Sequence, residues 1–205
     1  MKIFNAFIAF GLVAGSANAS DFSFTGKFDH DDQVQEFNFT VTEAVADVTL
    51  RTWSYAGGTN AQGTVIPGGG FDPIVSLFNA STGAQIAAVD DGVFPTVPQD
   101  PDTGNASDSF LMEDLPDGDY TATLTQFDSF PPGSLTDGFS GSGWVNFATR
   151  DSHWALDVLN VDSASLGASY VSPIPEPESY ALLLAGLGLI TLVARRRGNK
   201  MNSRV

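Results

Sequence analysis

The 205-residue chain has no cysteine, only two histidines and only nine Lys and Arg residues. Without cysteine there is no disulfide scaffold, no thiolate metal site and no cysteine nucleophile. With 24 Asp and Glu against those nine basic residues, the formal charge is −15. Nucleic acid is excluded as a partner, because its phosphates demand a basic face. Sustained 3.6-residue periodicity is also missing, so amphipathic helices are not expected. What is present is a 42% hydrophobic fraction with 21 Gly and 11 Pro. That is one ordinary domain with room for tails.

The two ends read as addresses. Residues 1–19 place Lys2 ahead of an apolar stretch and end in Ala17-Asn18-Ala19. A positive start, a short apolar run and a small-x-small site make a secretory signal peptide, cut by signal peptidase so that Ser20 begins the mature chain. At the other end Pro175-Glu176-Pro177 precedes an apolar run, 180–194, and then Arg195-Arg196-Arg197. At 1.5 Å per residue that run spans about 22 Å, short for a hydrocarbon core of about 30 Å. Tyr180 and snorkelling arginines extend its reach. The arginines hold residues 198–205 in the cytoplasm, which puts residues 20–178 outside. The prolines fix an extended backbone at the membrane surface, open to a membrane-embedded protease.

This order of Pro-Glu-Pro, short apolar helix and arginine cluster resembles the PEP-CTERM sorting signal. Tails of this kind also carry the label ice-binding protein C-terminal domain, which implies no ice binding. The resemblance implies recognition by an exosortase, a cysteine transpeptidase-like membrane enzyme of Gram-negative bacteria. It further implies an inner-membrane-anchored precursor that is cut near the motif and becomes a surface or extracellular protein. Bacteria with such a system typically make exopolysaccharide.

Residues 20–178 contain every acidic residue but only Lys27, Arg51 and Arg150, a net charge of −21. Nineteen of the acids are Asp, a turn former rather than a helix former. Short runs rich in Phe, Val, Thr and Tyr alternate with Gly, Pro and Asp. Strands are expected at Phe22–Phe28, Val34–Val41, Val48–Tyr55, Pro73–Asn79, Ala84–Val89, Ser109–Glu113, Tyr120–Phe127 and His153–Val161. Inward sets are Phe37, Phe39 and Val41; Tyr120, Ala122 and Leu124; Trp154, Leu156 and Val158. Ser81-Thr82-Gly83 and Pro116-Asp117-Gly118-Asp119 read as hairpin turns. The expected fold is all-β, a jelly-roll-like antiparallel β-sandwich of about eight strands over residues 20–160. Residues 161–174 have the composition of a Ser/Pro linker holding the domain clear of the membrane.

The run Phe71–Phe78, then Val89-Asp90-Asp91-Gly92, then Leu115-Pro116-Asp117-Gly118 before Tyr120–Leu124 resembles bacterial pre-peptidase C-terminal domains. These are small extracellular β-sandwiches that accompany secreted hydrolases. The chain departs from them in the Gly-rich insert Ala56–Gly70 and in the loop Phe127–Asp151, and no peptidase domain accompanies it.

Calcium is the favoured cofactor, because hard cations take six to eight oxygens and loop carboxylates supply them. Asp72 starts one expected strand and Asp90-Asp91 end its hairpin partner, with Asp108 on the following loop. Asp72, Asp90, Asp91 and Asp108 are therefore the candidate ligands, although Asp-Pro and Asp-Asp-Gly are also ordinary turn formers. An EF-hand is excluded by spacing. Asp29-His30-Asp31-Asp32 reads as a solvated turn, and His153 as structural. No nucleophile elbow is present. Trp53 and Tyr55 share a face with Thr49 and Arg51, and are the candidate saccharide-stacking rings. The expectation is a non-enzymatic exported surface protein associated with exopolysaccharide or a biofilm matrix. The alternatives are a carbohydrate-binding module and, more weakly, a carboxylate-dependent hydrolase.

Overall fold

The structure, a computed structural model, describes residues 19–141, 143 and 145–172. The signal segment up to residue 18, the sorting segment 175–197 with its apolar run 180–194, and the tail 198–205 lie outside the described residues. Eleven strands follow one another: β1 Ser20–Lys27, β2 Gln33–Val41, β3 Ala46–Thr52, β4 Gly58–Thr59, β5 Val65–Ile66, β6 Pro73–Asn79, β7 Gln85–Val89, β8 Phe110–Leu115, β9 Gly118–Gln126, β10 His153–Val161 and β11 Ser163–Val171. All eight expected strands form.

Two antiparallel sheets are stacked face to face, β1-β10-β3-β8 against β11-β2-β9-β6-β7, with β4 and β5 paired separately. The pairs β1·β10, β2·β9, β3·β8 and β6·β7 are successive rungs of one long ribbon, closed by the β6–β7 hairpin. Wrapping that ribbon puts alternate pairs in opposite sheets, which is the jelly roll. The hairpin turns at Gly83, where φ is +71° and the Gly83 amide donates to Asn79 O. Pro116-Asp117, in contrast, is a corner, because β8 and β9 lie in different sheets. Tyr120 pins this crossing by donating its hydroxyl to Pro116 O at 2.8 Å.

The three inward sets meet in one core with Phe28, Phe71, Val75, Leu77 and Leu111. Phe37 packs edge-on against Trp154 with ring centroids 5.6 Å apart, and Phe39 stacks on Tyr120. Burying each such side chain contributes about 1.5–3 kcal/mol.

The two inserts are folded structure. The segment after β3 forms the β4–β5 hairpin, whose Ile66 covers Trp53 and Ala155. The long segment after β9 lies against the second sheet, where Phe139 packs on Phe78 and Val34. That cover leaves almost every residue of β6 buried, although a sandwich strand ordinarily exposes one face.

Residues 161–174 require a correction as a linker, since most of them form β11, hydrogen-bonded along β2. Its Ala164 touches the main core, and Tyr170 joins the Val34–Phe78–Phe139 cluster. Gly167 allows the close approach, as a Cβ there would lie 2.8 Å from Asn38 Nδ2 and 2.9 Å from Glu36 Cβ. Only Ser172, Pro173 and Ile174 separate β11 from Pro175.

Candidate metal centre

The β6–β7 hairpin brings Asp72, just before β6, beside Asp90 and Asp91, just after β7. One carboxylate oxygen from each lies within 4.8 Å of the other two. Oxygens sharing one calcium ion are at most about 5 Å apart, since each sits 2.3–2.6 Å from the metal. The backbone around them is held firmly. Phe127 N donates to Asp72 O at 2.7 Å, and Gly92 N to Asp108 O at 2.7 Å. The fully buried Ser109 hydroxyl lies 2.6 Å from both Pro73 O and Asp90 O.

The electrostatics of the cluster are unfavourable without a counter-charge. Burial, then Asp90 and Asp91, push the Asp72 carboxyl up to about 7, against a lowering hydrogen bond from Ser107. Burial, then Asp91 and Asp128, push Asp90 up to about 6. Asp72 Oδ1 and Asp90 Oδ1 are both buried without a hydrogen-bond partner. A buried oxygen without a donor is costly, and a dication would satisfy both atoms and cancel the repulsion. The same arrangement can hold a shared proton, the pattern from which carboxylate general acids are built.

Asp108 stands beside this cluster with both carboxylate oxygens already occupied. Oδ1 accepts from Thr52 Oγ1 at 2.9 Å and from Tyr55 N at 3.0 Å, and Oδ2 accepts from Ala56 N at 2.9 Å. Burial raises its pKa, and these bonds oppose the rise. Its place is at the root of the Ala56–Gly70 insert, as an anchor for the backbone that leaves β3.

Trp53 and Tyr55 are also corrected, because both are buried and neither ring is an exposed stacking platform. Trp53 lies under the β4–β5 hairpin, donates Nε1 to Asp157 Oδ2 at 2.7 Å and carries the Arg51 guanidinium 3.7 Å above its ring. Tyr55 has the Arg150 guanidinium 3.7 Å over its ring and donates its hydroxyl to Thr103 Oγ1. The Gly-rich insert covers Trp53, and Arg150 from the second long loop covers Tyr55.

Several structural residues gave no sequence signal. Buried Asp157 accepts from Ser23 Oγ, Trp53 Nε1 and Ala61 N, which ties the insert to the first sheet. Asp100 pairs with Arg150 at 2.6 Å. Burial works against its charge, yet bonds from Arg150, Thr103 and Asp102 hold its carboxyl below the usual range. Asp31, within the expected solvated turn, accepts from Asn146 N and Phe147 N. It thereby clamps Asn146, Phe147, Ala148 and Thr149, whose φ values run from 51° to 70°. Left-handed backbone costs L-residues roughly 1–2 kcal/mol each, so four in a row need such a clamp. His153 is structural, its ring nitrogens lying 2.8 Å from Asp151 Oδ1 and 2.9 Å from Pro67 O.

A family model for the PEP-CTERM protein-sorting motif matches residues 173–197. No curated protein matches the chain, and the resemblance to pre-peptidase C-terminal domains therefore gains no relative. The chain carries the sorting motif of an exported, exosortase-processed surface protein of Gram-negative bacteria, and its domain is β-rich.

Proposed function

We propose that the protein is a non-catalytic surface module of the extracellular polysaccharide or biofilm matrix, its sandwich tied by calcium at Asp72, Asp90 and Asp91. The sorting motif supports the location, and the observation that carries the cation is the pair of buried, unpartnered oxygens of Asp72 and Asp90. Most other buried carboxylates, Asp100, Asp108 and Asp157, are engaged by donors of their own chain. The cluster supplies three negative charges, and a dication leaves one. Loop carboxylates and water complete the six to eight oxygens that calcium prefers.

The processing part of this reading is tested by intact mass and fractionation of the native protein. A chain starting at Ser20, cut near Pro175 and recovered with surface polysaccharide is the expected result; a membrane fraction still ending in Val205 overturns it. The cation is tested by thermal melting with calcium and with EDTA, since a native-state ligand stabilises by mass action. An unchanged melt, together with release of reducing sugar from matrix polysaccharide, would move the Asp72–Asp90 pair to the hydrolase reading.

A further inference from the structure

A second feature lies near the metal centre, at the same end of the sandwich. A cavity of 430 Å³ is bounded by Tyr55, Gln126, Phe127, Phe147, Ala148 and Arg150, with Asp72 at its margin. That volume falls within the range of small-ligand sites. Gln126 is 2% exposed, and its Oε1 is buried with no hydrogen-bond partner. One wall is the left-handed turn Asn146–Thr149, held in that conformation by Asp31. Backbone kept in so unfavourable a region is a recurrent feature of ligand clamps. The facing wall is fixed by Arg150, which donates to Gly70 O, Tyr55 O and Asp100 Oδ2 while lying over Tyr55.

The chemistry of the lining selects the ligand class. Arg150 is the cation in the wall; its charge is paired with Asp100, and its Nε and Nη2 donors go to that carboxylate and two carbonyls, which leaves Nη1. With Asp72 in the lining, the Arg150 charge paired and a strongly acidic domain around it, the cavity disfavours an anion. With Asp72 given to calcium, the groups left open are the Gln126 Oε1 acceptor and the Arg150 Nη1 donors, which hydroxyls, donors and acceptors at once, can meet. Phe127 and Phe147 offer apolar surface to C–H faces. Donors around an apolar ring describe a sugar residue, and we propose that this cavity is a subsite for one or two residues of a neutral saccharide chain. The assignment deepens the matrix reading, on which it rests for where the saccharide is met, and it replaces Trp53 as the point of contact.

The test uses the full chain in a zwitterionic, sugar-free detergent with calcium present. It is offered neutral, amino and uronic-acid oligosaccharides, and the best binder is titrated by calorimetry. Gln126→Leu removes the unpaired acceptor. Ala148→Leu fills the cavity at a position whose left-handed φ the two residues tolerate alike. Binding of a neutral oligosaccharide, weakened at least tenfold in both variants while the Ala148→Leu melt stays within a few degrees of the parent, is the expected result. Absence of binding across the panel, a preference for uronic acids alone, or undiminished binding in Ala148→Leu would each overturn the subsite. Processing is read separately by intact mass, so failure of the subsite is distinguishable from failure of the matrix reading.

Discussion

Replacing Asp72 with asparagine should reverse the order of stability depending on whether calcium is present. In the folded protein the Asp72 carboxyl is pushed to about 7 from an ordinary 3.8. An acid whose folded pKa is raised holds a proton that the unfolded chain has released. Its contribution is therefore most favourable below about pH 4 and is lost as pH climbs through about 7. At 1.36 kcal/mol per pH unit, that displacement sets a ceiling of about 4 kcal/mol at pH 8. Asp72 is only partly buried, and solvent screening reduces the ceiling to about 1–2 kcal/mol. The substituted amide carries no charge, so in EDTA at pH 8 the Asp72→Asn variant should melt about 3–6 °C above the parent. Calcium at a hundred times its dissociation constant adds about 2.7 kcal/mol to the parent, a rise of about 5–10 °C. The variant lacks a ligand and should gain little. Circular-dichroism melts at pH 8, with EDTA and with millimolar calcium, measure both effects, and at pH 5.5 in EDTA the gap between the two proteins should shrink to about half its size at pH 8. The reasoning fails if Asp72→Asn melts lower in EDTA, or if the two proteins gain equally from calcium.

Asp108→Asn should lower the melt by an amount that is the same in calcium and in EDTA, since it breaks the anchor at Tyr55 and Ala56 rather than a ligand; a calcium-dependent loss would return Asp108 to the metal site. Gly26→Ala should destabilise by about 1–3 kcal/mol in urea titration, because the added Cβ would overlap the Trp154 indole at Cζ2; a neutral effect would show that the indole moves freely. Tyr170→Ala should cost about 1–2 kcal/mol in the same titration, whereas a true linker residue would be silent.

The sequence alone determined the all-β class, eight strands and their inward faces, because alternation with period two survives wherever one face of a strand is buried against a large core. Phe37, Trp154 and Leu124 were legible for that reason, and so was the meeting of Asp72 with Asp90 and Asp91, which needs only a short hairpin. The address at the C-terminus was equally legible, since its order of prolines, apolar run and arginines acts through composition. Tertiary structure decided what covers the sheets. β11 carries small residues on an edge and shows almost no alternation, so only its pairing with β2 identifies it. Trp53 and Tyr55 looked available because the strand pattern registers neither an insert folding back over Trp53 nor an arginine reaching Tyr55 from far along the chain. Asp108, Asp157 and Asp31 differ from the other acids only in the amides and hydroxyls that reach them from distant segments. A carboxylate becomes an anchor or a cation ligand according to whether the fold brings it donors, and donors from far along the chain leave no trace in local sequence.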